Sequence, residues 1–393
     1  MAWKNVLPMD ERARFVLEVE RREMSVAELC RRYGVSRKTG YKWIKRYQNS
    51  GLEGIKQRSS RPLSCPHRTS PKWEERIINE KLRHLSWGAK KIRQILLRQG
   101  LEGQVPAAST IGDMLSRWGL VKPRRRRRGR RESVTVVLTE ANRANQVWAV
   151  DYKGWFRTGD GERCEPLTIS DVYSRYVLEI KALGNQSYEE ARKVFEEYGL
   201  PEIIRSDNGS PFASTGAGGL SKLSVWWVLL CIKPEFIAPG HPEQNGVHER
   251  MHLSLEEAIR ERSQNRETQQ RRFDSWRNEF NEQRPHEGLN METPSQRYSC
   301  SIRGYKRGEV KKEVSYPEEY KVRRVRSNGQ IKWRVQTRFI GEALRGVLVG
   351  IKQVEEGHNQ VYFDSILLGD LYDVDYKKGL RPTVSVPKTG DKE

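Results

Sequence analysis

The chain has 393 residues, with 72 Lys+Arg against 51 Asp+Glu, a formal net charge of +21 and an isoelectric point near 9.8. A balance that basic points to a polyanionic partner, nucleic acid above all, and the length leaves room for about two to four domains around a sizeable core. No apolar run is long enough to cross a bilayer (Val225 to Ile232 is the longest clear one), Met1-Ala-Trp-Lys4 opens without an apolar signal core, and the five cysteines form no C-x-x-C pair, so reduced thiols and a cytoplasmic, nucleoid-associated location are expected.

Residues 10 to 22 are predicted to form a helix with Phe15, Val16 and Val19 on one face. Ser25-Val-Ala-Glu28 is a capping-box pattern that opens a second helix through Tyr33. Gly34-Val35 then turns the chain, and Ser36 caps a third helix from Arg37 to Tyr47. Cys30, a small residue, allows two of these helices to cross closely. The three read as a helix–turn–helix whose Arg37, Lys38, Thr39, Tyr41 and Lys42 end faces the major groove. A plain three-helix bundle fits the same pattern; the basic third helix favours DNA.

Residues 51–71, rich in Gly, Ser, Arg and Pro, read as a basic linker in which Lys56, Arg58, Arg61 and Arg68 track a phosphate backbone. Cys65, His67 and His84 lack the paired spacing of a zinc site. A second helical unit comes next, with helices from Trp73 to Leu85, Ala89 to Arg98 and Ser109 to Trp118, the last N-capped by Ser109. It reads as a second helix–turn–helix or as a small helical spacer. The run Arg124, Arg125, Arg126, Arg127 and Arg128, extended by Arg130 and Arg131, repels itself without a partner. It cannot read bases, but each Arg displaces a counterion from a phosphate, so it reads as a tether between a DNA-reading arm and the α/β segment beyond it.

From about 140 to 300 the pattern becomes α/β. A strand from Gln146 to Lys153 ends on Asp151, further strands lie near 165–171 and 176–182, and a helix over 187–198 stops at Gly199-Leu-Pro201. A strand over 202–206 delivers Asp207 to the turn Asn208-Gly209. After Gly216-Ala-Gly-Gly219 come an apolar helix, a short strand from Glu235 to Ala238, and a Pro/Gly-rich loop feeding a helix whose first turn carries Glu249. Two carboxylates on strand ends and one on a helix start are fixed yet open, which suits hard divalent cations such as magnesium. His248 and His252 stand at i,i+4 without a third ligand and do not make a zinc site; no P-loop or nucleophile elbow is present. A polar helical stretch runs on to Gln283. Beyond Ser315, short alternating runs (320–325, 331–335, 347–351, 360–368) around the hairpin signal Asn328-Gly329 suggest a small β-barrel.

Trp148-Ala-Val-Asp151, Ser206-Asp207-Asn208-Gly209 and Gln244-Asn-Gly246-Val-His-Glu249-Arg250, in that order, resemble the core shared by retroviral integrases and bacterial insertion-sequence transposases. Asn281-Glu-Gln-Arg-Pro-His286-Glu-Gly-Leu289, with Thr293-Pro294 after it, looks like the tail of the same core. The resemblance implies an RNase H-like fold with a DDE triad and two Mg2+ (or Mn2+) ions per active site. Asp151 would bridge both ions, and Asp207 and Glu249 would each hold one. It further implies cleavage at the 3′ ends of a mobile element and strand transfer into target double-stranded DNA by a homo-oligomer assembled on DNA. A metal nuclease that stops at hydrolysis and a domesticated DNA-binding regulator are the alternatives. The expected boundaries are 1–50 and 72–122 for the DNA-binding units, 51–71 and 123–139 for the linkers, 140–300 for the core and 315–376 for the barrel. Two glutamates compete for the third place in the triad: 35 residues separate Asp207 from Glu243, the usual superfamily gap, and 41 separate it from Glu249. Pro242 and Gly246 keep Glu243 in a loop, and in the resembled cores the glutamate stands three positions after the Gly of Gln-x-Gly, as Glu249 does.

Overall fold

A computed structural model describes residues 8–56, 69–100, 105–121, 138–185, 189–238, 241–306, 308, 314–374 and 379–381. The chain divides into two compact units, Met1–Ser70 and Pro71–Glu393. Among the described residues no helix is long and apolar enough to cross a membrane.

In the first unit α1 (Pro8–Arg21), α2 (Val26–Arg32) and α3 (Arg37–Gly54) enclose Phe15, Val16, Leu29, Cys30, Trp43 and Ile55. The Ser25–Glu28 capping box forms as expected, and the Ser36 side chain accepts from the Thr39 backbone N–H. The close crossing involves Gly40 of α3, where a Cβ would lie 2.5 Å from Cys30 Sγ and 3.0 Å from the Phe15 ring. The third helix is longer than expected and kinked at Ser50–Gly51, where Gly51 takes a φ of +56°.

The second unit opens with α4 (Pro71–Arg83), α5 (Ala89–Arg98) and α6 (Ala108–Arg117), which bury Ile77, Trp87, Ile92, Leu96, Ile111 and Leu115. Ser109 is not the cap of α6. Ala107 holds that position without a side-chain bond, and Ser109 lies inside the helix. This trio rests on the central domain: His84 Nδ1 pairs with Glu279 at 2.8 Å, and Arg98 donates to the Met291 carbonyl at 2.8 Å.

The central domain is a three-layer α/β/α structure. Its strands are β1 (Val147–Tyr152), β2 (Phe156–Arg157), β3 (Arg163–Asp171), β4 (Val177–Leu183), β5 (Ile203–Ser206) and β6 (Lys233–Phe236). Its helices are α7 (Glu189–Tyr198), α8 (Lys222–Leu229), α9 (Gly246–Arg260) and α10 (Arg266–Asn278). β1 pairs antiparallel with β3 and parallel with β5, β5 runs parallel to β6, and β4 pairs antiparallel with β3. Alternation along β1 sends Trp148 and Val150 to the layer of α7 and α8, where they meet Phe195, Leu223 and Trp227. Asp151 therefore points to the other face, where Met251 and Leu255 of α9 and Phe273 of α10 pack on Cys164, Val177 and Ile180. Beside the sheet, Arg205 Nη2 and Glu235 form a buried ion pair at 2.8 Å, and both groups bind the backbone of Thr139.

β4 is an edge strand, and side chains complete its outer hydrogen bonds. The Asn281 amide donates to the carbonyl and accepts from the N–H of Val177, both at 2.9 Å. Gln270 of α10 bridges the Ile180 carbonyl and the Ala182 N–H in the same way, each at 2.8 Å. Asn281 lies in a π-helical turn over Glu279–Gln283 that continues α10.

The C-terminal strands are β7 (Lys321–Arg324), β8 (Gln330–Trp333), β9 (Gln336–Phe339), β10 (Leu348–Glu355), β11 (His358–Phe363) and β12 (Ile366–Tyr372). They do not close into the expected barrel. They form an open sheet ordered β12-β11-β10-β7 and a separate hairpin β8-β9 over one apolar core. Among the described residues, the segment 379–381 adds single bridges to each sheet, Gly379 to Phe339 of β9 and Arg381 to Asp370 of β12. The Asn328-Gly329 turn forms, with Gly329 donating to the Arg326 carbonyl, but it does not pair the flanking strands over their length. β7 pairs with β10 instead, with all four of its own residues exposed.

Candidate active site

The fold sets the three carboxylates at the ends of its elements. Asp151 stands near the end of β1, its Oδ1 accepting the Tyr152 N–H at 2.7 Å. Asp207 comes directly after β5 and accepts the Gly209 N–H at 3.0 Å, an Asx turn that fixes its carboxylate. A Cβ at position 209 would stand 3.0 Å from Asp207 Oδ2, so the glycine makes room for the carboxylate. The turn is tied down by Asn208, which donates to the Ile237 carbonyl. Glu249 lies in the first turn of α9.

Asp207 and Glu249 both act on the Asp151 carboxyl. Burial, the Asp207 carboxylate and the Glu249 carboxylate all push the Asp151 carboxyl upward, to about 7, against the opposing Tyr152 N–H and Lys153. Three hard oxygen donors that repel one another in a half-buried site suit a divalent cation, which would offset that repulsion. The oxygen chemistry of the three carboxylates matches the metal that the motifs imply, although among the described residues their donor atoms do not all lie within 4.8 Å of one another.

Behind Asp151 lies a network that the sequence motifs do not announce. Thr168 Oγ1 donates to the Asp151 carbonyl at 2.9 Å and meets Nε2 of His248 at 2.8 Å and Nε2 of His252 at 2.7 Å. A hydroxyl has one proton and the carbonyl can only accept, so a Thr168 hydroxyl that donates to Asp151 accepts from both histidines at Nε2. Ser170 Oγ bonds His248 Nδ1 at 2.7 Å. Burial holds His248 down at about 3 and His252 at about 2, so both imidazoles are neutral. Among the described residues Asp151, His248 and His252 are the group whose donor atoms lie close enough to share an ion, all within 4.8 Å of one another. Both His248 nitrogens are committed to hydroxyls, so only His252 Nδ1, 3.7 Å from Asp151 Oδ2, faces the carboxylates. The sequence signal for this network was the i,i+4 histidine pair opposite Thr168 and Ser170, which alternate along β3.

The remaining site candidates lie apart from the carboxylates in the sequence. Arg37, Lys38, Tyr41 and Lys42 are exposed on α3, whose other face buries Gly40 and Trp43. Thr39 is half-buried, and its hydroxyl bonds Ser36 at 2.8 Å, so it serves the helix cap. Arg124, Arg125, Arg126, Arg127 and Arg128 lie outside the described residues, as does most of the 51–71 linker.

Comparison with known proteins gives matches in three places. Residues 230–294 match the integrase core domain, residues 11–62 a helix–turn–helix domain and residues 39–115 a homeodomain-like domain. An uncharacterized 31.7 kDa protein of insertion element IS407 from Burkholderia multivorans is 26% identical over 180 residues, 44% of this chain and 62% of that protein. The Pol polyprotein of Feline endogenous virus ECE1 is 29% identical over 126 residues, 31% of this chain and 11% of the polyprotein. The chain therefore spans less than two thirds of the length of these relatives. Among solved structures, the HTLV-2 integrase catalytic core domain in complex with magnesium is 14% identical, with a TM-score of 0.30 over 41% of this chain and 100% of that one. A simian T-cell lymphotropic virus intasome in complex with a PP2A regulatory subunit is also 14% identical, with a TM-score of 0.35 over 74% and 97%. The matches thus set an integrase-core segment behind helix–turn–helix-type segments in a chain that is similar to a protein of an insertion element.

Proposed function

We propose that this transposase-like chain binds the terminal inverted repeats of its element, cleaves at the 3′ ends and joins those ends to target DNA, with Asp151, Asp207 and Glu249 as its catalytic carboxylates. The observation that carries the reading is the placement of Asp151 and Asp207 at neighbouring ends of the parallel strands β1 and β5 with Glu249 in the first turn of α9, both of the other carboxylates adding to the burial that pushes the Asp151 carboxyl upward. Divalent cations, Mg2+ or Mn2+ and two per site, supply Lewis acidity and an activated water when bound. The chain itself positions the donors. β1 and β5 run parallel and side by side, bringing Asp151 and the residue after β5 to one sheet end, and Glu249 stands in the first turn of α9. Thr168, held by two neutral histidines, fixes the backbone of Asp151 from behind. The test is joining of labelled element ends to target DNA in magnesium. End-bound protein that hydrolyses DNA but forms no joined product would refute strand transfer.

Recognition of the ends is assigned to the exposed start of α3. Arg37→Ala or Lys38→Ala should lower the preference for the matched end over a scrambled duplex by roughly 1–3 kcal/mol, the worth of a good base contact. Competition binding with the two duplexes measures the ratio. An unchanged ratio in both variants would move recognition to the second helical unit. Domain boundaries near 50, 72, 122, 140 and 300 are proposed on the same footing, with an oligomer forming on paired ends.

A further inference from the structure

On the face of α9 turned away from the carboxylates lies a cavity of about 650 Å3, bounded by α9, the turn before β4, the segment after α10 and the start of α5. Lys91, Arg175, Arg250 and Arg284 all line it. Arg284 donates to Ser254 Oγ at 2.9 Å, whereas the Lys91, Arg175 and Arg250 side chains make no hydrogen bond or ion pair among the described residues. The nearest carboxylate, Glu287, binds Lys90 at 2.8 Å.

The fold makes room for this crowding of like charge. Arg175 has a left-handed backbone, φ +62°, in the turn before β4. A Cβ on Gly288 would sit 1.9 Å from the Arg175 guanidinium, so the glycine of the His-Glu-Gly-Leu segment leaves the space that the guanidinium occupies. His286 also lines the cavity; it is 7% exposed, and its Nε2 is buried without a hydrogen-bond partner. Burial, with Arg284 and then Arg175 and Arg250 adding repulsion against the pull of Glu287, pushes the Lys91 ammonium down to about 7. Several cations around one cavity, with a single carboxylate among its lining residues, call for an anion from outside the chain.

We propose that this cavity is a phosphate-binding site that holds a phosphodiester of bound DNA against the back of α9. Guanidinium groups bind phosphate oxygens in pairs, and the volume takes a phosphate with its flanking sugar. DNA is favoured over a free phosphate compound because Lys91 comes from a helical unit within a homeodomain-like match, and Arg250 stands directly after Glu249. A strand seated here would be held by the same helix that presents Glu249. To that extent the inference rests on the DNA-joining reading above.

The test uses the full chain with Arg250→Gln, Arg175→Gln and Lys91→Gln, measuring affinity for a fluorescein-labelled duplex of scrambled sequence over a range of salt. Each variant should lower the slope of log affinity against log salt by up to about 1, the signature of one lost phosphate contact. Inorganic phosphate, as a separate probe, should raise the thermal midpoint of the unmodified chain and do so less in Arg175→Gln. Arg250 is exposed, so its variant is expected to fold and keeps the test decisive if Arg175→Gln does not. Unchanged slopes in Arg250→Gln and Lys91→Gln overturn the proposal, and they do so even if phosphate stabilises the protein, since the site would then serve a small free anion. Reduced slopes in a protein that joins no DNA would leave the site standing and remove the transposase reading instead.

Discussion

Glu249→Gln is expected to abolish cleavage and joining while end binding survives, and Glu243→Gln is expected to stay largely active. The amide keeps the shape of the glutamate and removes the charge that would hold a cation. Metal stabilisation of transition-state charge is worth several kcal/mol. At about 1.4 kcal/mol per tenfold, its loss is a rate deficit on the order of a thousandfold or more. The choice between the two glutamates rests on the backbone. Pro242–Asn245 is a single 3-10 turn, and α9 begins only at Gly246, so Glu249 sits on a rigid helix start. After burial and Asp207, its charge adds to the upward push on the Asp151 carboxyl. A magnesium-dependent joining assay on labelled ends, paired with gel-shift binding, decides it. Activity retained in Glu249→Gln and lost in Glu243→Gln would reverse the assignment.

The second large effect is on stability. Arg205→Ala or Glu235→Ala should each cost about 3–5 kcal/mol, because each strands the other charge beside the sheet. The two side chains are 2.8 Å apart and both nearly excluded from water. They also bind the N–H and carbonyl of Thr139, which ties the chain entering the core to β5 and β6. Replacing both by Met should cost less than either single change, since no buried charge then remains unpaired. Urea unfolding monitored by core tryptophan fluorescence gives the midpoints. Single variants within about 1 kcal/mol of the parent would show that water reaches the pair and screens it, as at a surface ion pair.

The elements that carry the carboxylates were legible because each has a local signal: an apolar run ending on Asp151 or Asp207, and a Gly-rich loop before Glu249. The α/β order came from the same punctuation. Features that rest on distant partners were not legible. Ser109 looks like a cap, yet Ala107 starts α6, since packing of Ile111 and Leu115 sets where the helix begins. Asn328-Gly329 signals a hairpin, but β7 pairs with β10, a partner far along the chain. The barrel was inferred from strand count, and strand count does not decide whether β12 and β9 pair along their length. The histidine pair lacks a third ligand nearby in the sequence, and the fold brings Asp151 to it from 97 residues upstream of His248. Lys91, Arg175, Arg250 and Arg284 are too scattered in the sequence to read as one cluster.

The side-chain amides along β4 have a consequence for assembly. An open strand edge is a template on which a second copy can add its own strand. Here Asn281 and Gln270 imitate that missing neighbour, each offering a donor and an acceptor to the backbone. A copy of this chain that approached β4 would find those groups already taken. Protomers gathered on DNA are therefore expected to meet through helices and loops, and their sheets should remain separate rather than fuse across this margin.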